Sequence, residues 1–273
     1  MQFLRHVLLA VQFFTRLPVT GRLAEWVGYS PAMLRASAAH FPAVGWLVGG
    51  VACAMFAFVS LAFPSNAFTP LAAAVACTMA TALFTGGFHE DGLADVADGL
   101  GGSQDRARAL DIMKDSRVGA FGAMALVLTL LAKVALLATL GAQGLAAALG
   151  ALASAHVLSR FWPLLLVRTL SHVGDAGRSK SKPLADQITR TALAAALVWC
   201  LPPLALAGWL AGGWVILGAS LSSAVTLGWM RRWFASRLQG FTGDCLGATQ
   251  QVCELACYAG ALLALGPWLA AAP

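Results

Sequence analysis

The chain has 273 residues, 59% of them hydrophobic and only 11% charged, with a mean hydropathy of +0.75. A soluble domain carries about 25% charged residues, so the composition excludes one and indicates an all-α polytopic integral membrane protein. The net charge of +6 does not indicate nucleic acid, because the bases are scattered among loops and form no stripe. At roughly 20 residues per span, the length allows about seven spans with modest loops, so residues 1–273 are read as a single membrane-embedded domain.

The N-terminal MQFLRHVLLAVQFFTRLPV opens like a signal peptide, but Arg5, Gln12 and Arg16 interrupt it at helical spacing and no small-residue cleavage site follows. It is read as an amphipathic helix lying in the interface. Pro18, Gly21 and Gly28 then make a loop. Spans are expected at Ser37–Phe63, Ala67–Thr85, Ala120–Leu140, Leu145–Val167, Thr191–Leu210, Trp214–Met230 and Val252–Leu269. The connections at Pro64–Asn66, Gly141–Gly144 and Ala211–Gly213 carry no charge. Opposite them lie Arg5, Arg16, Arg22 and Arg35, then Arg106, Arg108, Lys114 and Arg117, then Arg178, Lys180, Lys182 and Arg190, then Arg231, Arg232 and Arg237. The positive-inside rule makes that side cytoplasmic, including the N-terminus, and puts the C-terminus outside. Gly45, Gly49 and Gly50 have the spacing of a span-packing face. The six cysteines form no CxxC pair and are read as buried free thiols.

One stretch breaks the apolar character. GGFHEDGLADVADGLGGSQDRARALDIMKDSRVGAFG, residues 86–122, holds seven of the twelve acids: Glu90, Asp91, Asp95, Asp98, Asp105, Asp111 and Asp115. Like charges this close raise each other's pKa unless a cation neutralises them. In a helix Asp91, Asp95 and Asp98 stand at i, i+4 and i+7, within roughly 60° of arc. Oxygen ligands without a His or Cys cluster suit Mg²⁺, which takes one or two carboxylates, waters and a substrate phosphate. In DIMKDSRVG, Asp111, Lys114 and Asp115 again share a helical face, and Ser116 and Arg117 follow. Acids for metal beside bases for phosphate oxygens are the parts of metal-assisted phosphoryl transfer. Gly99, Gly101 and Gly102 are expected to make a turn that folds the two halves together.

Lys133 and Arg160 fall within spans, where a charge costs roughly 2.5 to 3.5 kcal/mol on insertion scales; each either serves function or pairs with a buried acid. The loop Arg168–Arg190 has the Gly, Ser and Lys content of a mobile lid, although an ordinary positive-inside loop accounts for it as well. Thr242, Gly243 and Asp244 open the last polar island on the cytoplasmic side, which makes Asp244 a further candidate ligand.

Together GGFHEDGLADVADG, IMKDSRVGAFG, the SR of ASAHVLSRFW, FTGDCLGA, FPAVGWLVGG and TRLPV closely resemble the cobalamin synthase family, the adenosylcobinamide-GDP ribazoletransferases, over nearly the whole chain. The resemblance implies a multi-pass enzyme of the bacterial inner membrane, with its active site on the cytoplasmic side. It would transfer the adenosylcobinamide phosphate group from adenosylcobinamide-GDP to a ribose hydroxyl of α-ribazole or its 5′-phosphate, releasing GMP with Mg²⁺ as cofactor. Glu90, Asp91, Asp95, Asp98 and Asp115 would be the metal-ligand candidates, Glu90 ranking below Asp91. Lys114, Ser116, Arg117 and Arg160 would bind substrate phosphate, and either Asp115 or Asp244 would act as general base. Gln250 and Gln251 stand where the family often has an Asn-Glu pair, which argues against a metal role there. Homo-oligomerisation is left open. A CDP-alcohol phosphotransferase is the chemical alternative, since Asp95, Asp98, Gly99, Asp111 and Asp115 match part of that pattern, but its Ala-Arg pair and later glycine are missing. A cation-coupled transporter would need acids near the midplane and repeated interrupted spans, and the sequence has neither.

Overall fold

The computed structural model describes residues 1–174 and 188–266. Among these the fold is helical, with no strand and an isolated backbone bridge between His172 and Phe241. Three short helices come first: α1 (Gln2–Phe14), α2 (Gly21–Val27) and α3 (Pro31–Ser37). α1 buries Leu9, Ala10, Val11 and Phe14, all in its C-terminal half. Ser30 caps α3 by accepting from the Met33 N–H at 3.1 Å, and Pro31 at the first position has no N–H to leave unpaired. α3 continues through a 3₁₀ turn, Ala38–His40, into α4 (Phe41–Ala62).

The chain then forms α5 (Thr69–Thr85), α6 (Phe88–Gly102), α7 (Arg106–Ile112), α8 (Ala120–Gln143), α9 (Leu145–Thr169), α10 (Arg190–Ala211), α11 (Gly213–Arg237) and α12 (Gly243–Ala264). Each segment expected to span therefore falls on helical residues, to within two or three at its described ends. By length and hydropathy, five helical segments are able to cross a bilayer: Pro31–Ala62, α8, α9, α10 and α11. α5 and α6 meet that test only as a pair, across a 90° bend, which makes up to six. α12 is as long, but Gln250, Gln251 and Glu254 dilute its apolar run. These numbers fall short of the seven expected, because α5 with 17 residues is too short to be counted alone and Gln250, Gln251 and Glu254 lower the hydropathy of α12.

Large apolar side chains such as Phe58, Met79, Leu128, Val198, Trp209 and Val225 are exposed on the outer faces, as expected for contact with lipid tails. α9 is the central helix, with 83% of its apolar window buried. Its crossing with α4 explains two of the three glycines noted above. A Cβ on Gly45 would strike the His156 carbonyl and one on Gly49 would touch the His156 side chain, whereas Gly50 faces open space. The cysteines are free, all of them buried except the half-buried Cys53.

The bend before α6 is made by Gly86 and Gly87, both at φ +70°, a left-handed conformation that only glycine adopts without steric cost. Their N–H groups return to the Leu83 and Ala82 carbonyls at 3.2 and 2.9 Å. α6 thus leaves the direction of α5 at a right angle. The glycines expected to form a turn do not: Gly99, Gly101 and Gly102 lie inside α6, and the turn falls on Ser103–Asp105. Packing is the reason. A Cβ on Gly99 would meet Met113 and the Ala109 carbonyl, and one on Gly101 would meet the Phe121 ring. The lid expected within Arg168–Arg190 falls largely on residues 175–187, outside the described residues, together with Arg178, Lys180 and Lys182. The end of the span expected at Val252–Leu269 also lies outside them.

Candidate active site

α6 and the first turns of α12 cross backbone to backbone. A Cβ on Gly92 would lie 2.9 Å from the Asp244 carbonyl oxygen, and one on Gly247 would lie 3.2 Å from that of His89. This approach sets the acid face of α6 against Asp244. Asp95 is half-buried, and burial pushes its carboxyl up to about 7, with the charges of Asp244, Asp91 and Asp98 adding to the rise. Burial also raises Asp244, in the first turn of α12 ahead of the expected span; Asp91 adds to this and a hydrogen bond from Thr242 opposes it. Four carboxylates therefore act on one another here, as the crowding in the sequence anticipated.

They are not equivalent. Asp98 is buried, and its two oxygens accept from the Gly119 N–H at 2.7 Å and the Gly122 N–H at 2.8 Å. It pins the start of α8 to α6, where the unpaired amides and dipole of a helix N-terminus favour an anion. The carboxylates of Asp91 and Asp95 accept no hydrogen bond from the described residues. They are free to take an ion.

Glu90 turns away from this face. Its Oε1 accepts from Gln251 at 3.1 Å, which joins it to a buried network below the acids. Lys133 pairs with Glu254 at 3.1 Å and donates to Gln251 at the same distance. Gln250 donates to Glu254 at 2.7 Å and to Ser159 at 3.1 Å, and the Tyr258 hydroxyl donates to Glu254 at 3.0 Å. Arg160 belongs to this layer, with Nη1 donating to the His156 carbonyl at 3.1 Å. Among the described residues Glu90 Oε2 and Arg160 Nε have no hydrogen-bond partner. The sequence singled out Lys133 and Arg160 but missed Glu254, although an acid inside an expected span was a signal for the partner of Lys133.

The second half of the acidic stretch is exposed and largely self-paired. Arg117 donates to Asp115 through Nη2 at 2.5 Å and Nε at 2.9 Å, and this pairing holds the Asp115 carboxyl down at about 2. Lys114 lies 3.5 Å from Asp111, both exposed, and Ser116 is exposed beside them. The structure thus brings Asp91, Asp95, Asp98 and Asp244 into one electrostatic group, while Glu90 and Arg160 lie in the buried layer and Asp115 is occupied by Arg117.

Among the described residues no three His, Cys, Asp or Glu side chains are grouped tightly enough to hold an ion by themselves. A hard cation held by two carboxylates, waters and a phosphate does not need such a group. The uncommitted carboxylates of Asp91 and Asp95, in a field raised by their neighbours, fit that arrangement.

Two cavities flank the acids. One is apolar, lined by Phe13, Phe14, Phe41, Phe88, Pro163 and Leu246 with Arg160 and His89 on its wall, and has a volume of about 40 Å³. The Phe14 and Phe41 rings form an edge-to-face pair 4.1 Å apart. The other is polar and larger, about 400 Å³, and includes Asp91 in its wall.

A family model described as cobalamin-5-phosphate synthase matches residues 6–262. The adenosylcobinamide-GDP ribazoletransferase of Polaromonas naphthalenivorans is 60% identical, covering 97% of this chain and 100% of that protein. The protein of that name from Albidiferax ferrireducens is 59% identical over 97% of this chain and 99% of its own length, and that of Vibrio cholerae 39% over 92% and 90%. No solved structure gives a significant match.

Proposed function

The chain belongs to the cobalamin-5-phosphate synthase family, and from that premise we propose that it is an adenosylcobinamide-GDP ribazoletransferase. It transfers the adenosylcobinamide phosphate group from adenosylcobinamide-GDP to a ribose hydroxyl of α-ribazole or its 5′-phosphate and releases GMP, a late step of vitamin B12 nucleotide loop assembly. The observation that carries the site is the convergence of Asp91, Asp95, Asp98 and Asp244 where α6 crosses α12.

Asp91 and Asp95 are the residues that would hold Mg²⁺. When bound, the ion offsets the charge on the pyrophosphate and on the leaving phosphate. Asp98 keeps the acid face in register by tying α6 to α8. Asp244 faces Asp91 and Asp95 from the opposing helix, with Thr242 donating to it at 3.2 Å, and is assigned as general base for the attacking hydroxyl. Asp115 is not assigned that role, because its pairing with Arg117 favours the ionised, weakly basic form. Lys114 and Ser116 remain candidates for phosphate contacts at the exposed mouth.

The same reading gives the topology. The N-terminus and the acidic stretch are cytoplasmic, α1 lies in the interface, α6 runs along the membrane surface, and the membrane is the bacterial inner one. The uncharged connections near residues 63–68, 144 and 212 support this, since the basic helix ends all lie on the other side. α12 and α5 then complete seven spans, with the polar groups of α12 buried against Lys133 and Ser159 instead of facing lipid.

The test is GMP release by purified protein in lipid vesicles given adenosylcobinamide-GDP and α-ribazole, with Mg²⁺ or EDTA, beside Asp95→Asn. Release that requires acceptor, metal and Asp95 is expected. Turnover of a CDP-linked lipid and an alcohol in its place would overturn the assignment.

A further inference from the structure

The polar cavity beside Asp91 lies under the end of α1. Its wall includes Gln12, Thr15, Arg16, Thr85 and Asp91, so three of these residues come from the N-terminal segment and one is a proposed metal ligand.

The backbone at this point is fixed. The Arg16 N–H donates to the Phe84 carbonyl at 2.8 Å, which ties the end of α1 to the end of α5. The Thr15 hydroxyl donates to the Val11 carbonyl at 2.8 Å and accepts from the Leu17 N–H at 3.2 Å. Beneath Arg16 lies Gly86, at φ +70°. A Cβ there would strike the Arg16 guanidinium, so the glycine both makes the bend and leaves the space in which the guanidinium rests.

The guanidinium itself is uncommitted: among the described residues it makes no hydrogen bond or ion pair. Other arginines around the site are engaged. Arg117 is held by Asp115, Arg106 donates to the Leu238 carbonyl at 2.6 Å, Arg237 to the Ser103 carbonyl at 2.6 Å, and Arg160 to that of His156. A free, positioned guanidinium in a polar cavity that also contains a proposed metal ligand has the chemistry of a phosphate clamp. Arginine binds phosphate through paired N–H donors, and Mg²⁺ is normally shared between carboxylates and substrate phosphate.

We propose that this cavity is a phosphate subsite and that Arg16 is its cationic binding residue. The inference rests on the transferase reading and deepens it. The phosphate has two sources, the pyrophosphate of the nucleotide-activated donor or the 5′-phosphate of the acceptor nucleoside.

Arg16→Ala and Arg16→Lys are to be assayed with adenosylcobinamide-GDP and with either α-ribazole or α-ribazole 5′-phosphate, and donor binding is to be measured separately in EDTA. Losing a charged hydrogen-bond pair is expected to raise one KM by roughly 10- to 100-fold in Arg16→Ala, with a smaller rise in Arg16→Lys. A rise confined to the phosphorylated acceptor identifies the acceptor's phosphate. A rise in the donor KM with both acceptors, together with weaker donor binding in EDTA, identifies the pyrophosphate. Unchanged KM values for all three substrates would overturn the proposal, as would an equal fall in kcat with each. Should Arg16→Ala not fold, Arg16→Lys decides by the same KM comparison. Wild-type protein that turns over neither acceptor marks failure of the transferase reading, whereas active wild type beside unaffected variants marks failure of this inference alone.

Discussion

Replacing Asp95 by asparagine should make the metal-free protein more stable while abolishing its activity. Asp95 stands at about 7 in the fold against an ordinary 3.8, so its ionised form is disfavoured by burial and by Asp244, Asp91 and Asp98. With a folded pKa above the unfolded one, stability is fully present below the unfolded value and is lost as pH rises through 7. Unscreened, that rise corresponds to about 4 kcal/mol at around pH 8; because the carboxyl is half exposed, screening brings it to about 2 kcal/mol. Asparagine carries no charge and escapes this penalty. In EDTA near pH 8, Asp95→Asn should melt roughly 5 °C above wild type, and the gap should narrow as pH falls through 7 and close only below about pH 4, where the carboxyl is protonated in the folded and unfolded chains alike. Added Mg²⁺ should raise the wild-type melting temperature and leave the variant's unchanged. Thermal melts of purified protein across this pH range make the test. A variant that melts below wild type in EDTA near pH 8, or a gap independent of pH, would refute the electrostatic argument.

Further outcomes follow from the same packing. Asp98→Ala leaves the Gly119 and Gly122 amides without their acceptor and should cost about 3 kcal/mol, two hydrogen bonds to a charged group; faster proteolysis between α6 and α8 would show it, and unaltered protection would count against the pinning role. Lys133→Met strands Glu254 in the buried layer and should cost roughly 3–5 kcal/mol, much of which Lys133→Met with Glu254→Gln should recover, as read in thermal melts. Gly92→Ala forces a Cβ against the Asp244 backbone and should cost about 1–3 kcal/mol. It should also reduce GMP release more than Gly50→Ala, which meets nothing; equal effects would deny that the α6–α12 approach builds the site.

Much of this protein could be read without coordinates. A run of about 20 apolar residues is helical in a bilayer because its backbone has no other partner for its polar groups, and so Ser37–Phe63 and its counterparts were legible as helices, although only five or six of them have the length and hydropathy of a span. Asp91, Asp95 and Asp98 were legible as one face because the helical period is a local property. The order GGFHEDGLADVADG, IMKDSRVGAFG and FTGDCLGA also carried the family resemblance. Locality is likewise where the reading ran out. Gly99, Gly101 and Gly102 look like a turn by composition, and only the contacts of Gly99 with Met113 and of Gly101 with Phe121 show that packing keeps this run inside a helix. Nothing within α6 distinguishes Asp98, satisfied by amides of α8, from Asp91 and Asp95, which are left free. Whether Glu90 faces the acids or Gln251, and whether Lys133 meets Glu254, depends on helices more than 100 residues apart in the chain. Spacing along one helix fixes which residues share a side; the partner that each side meets is set by how closely two backbones approach, at Gly92 against Asp244 and at Gly247 against His89, and that is a property of the folded bundle alone.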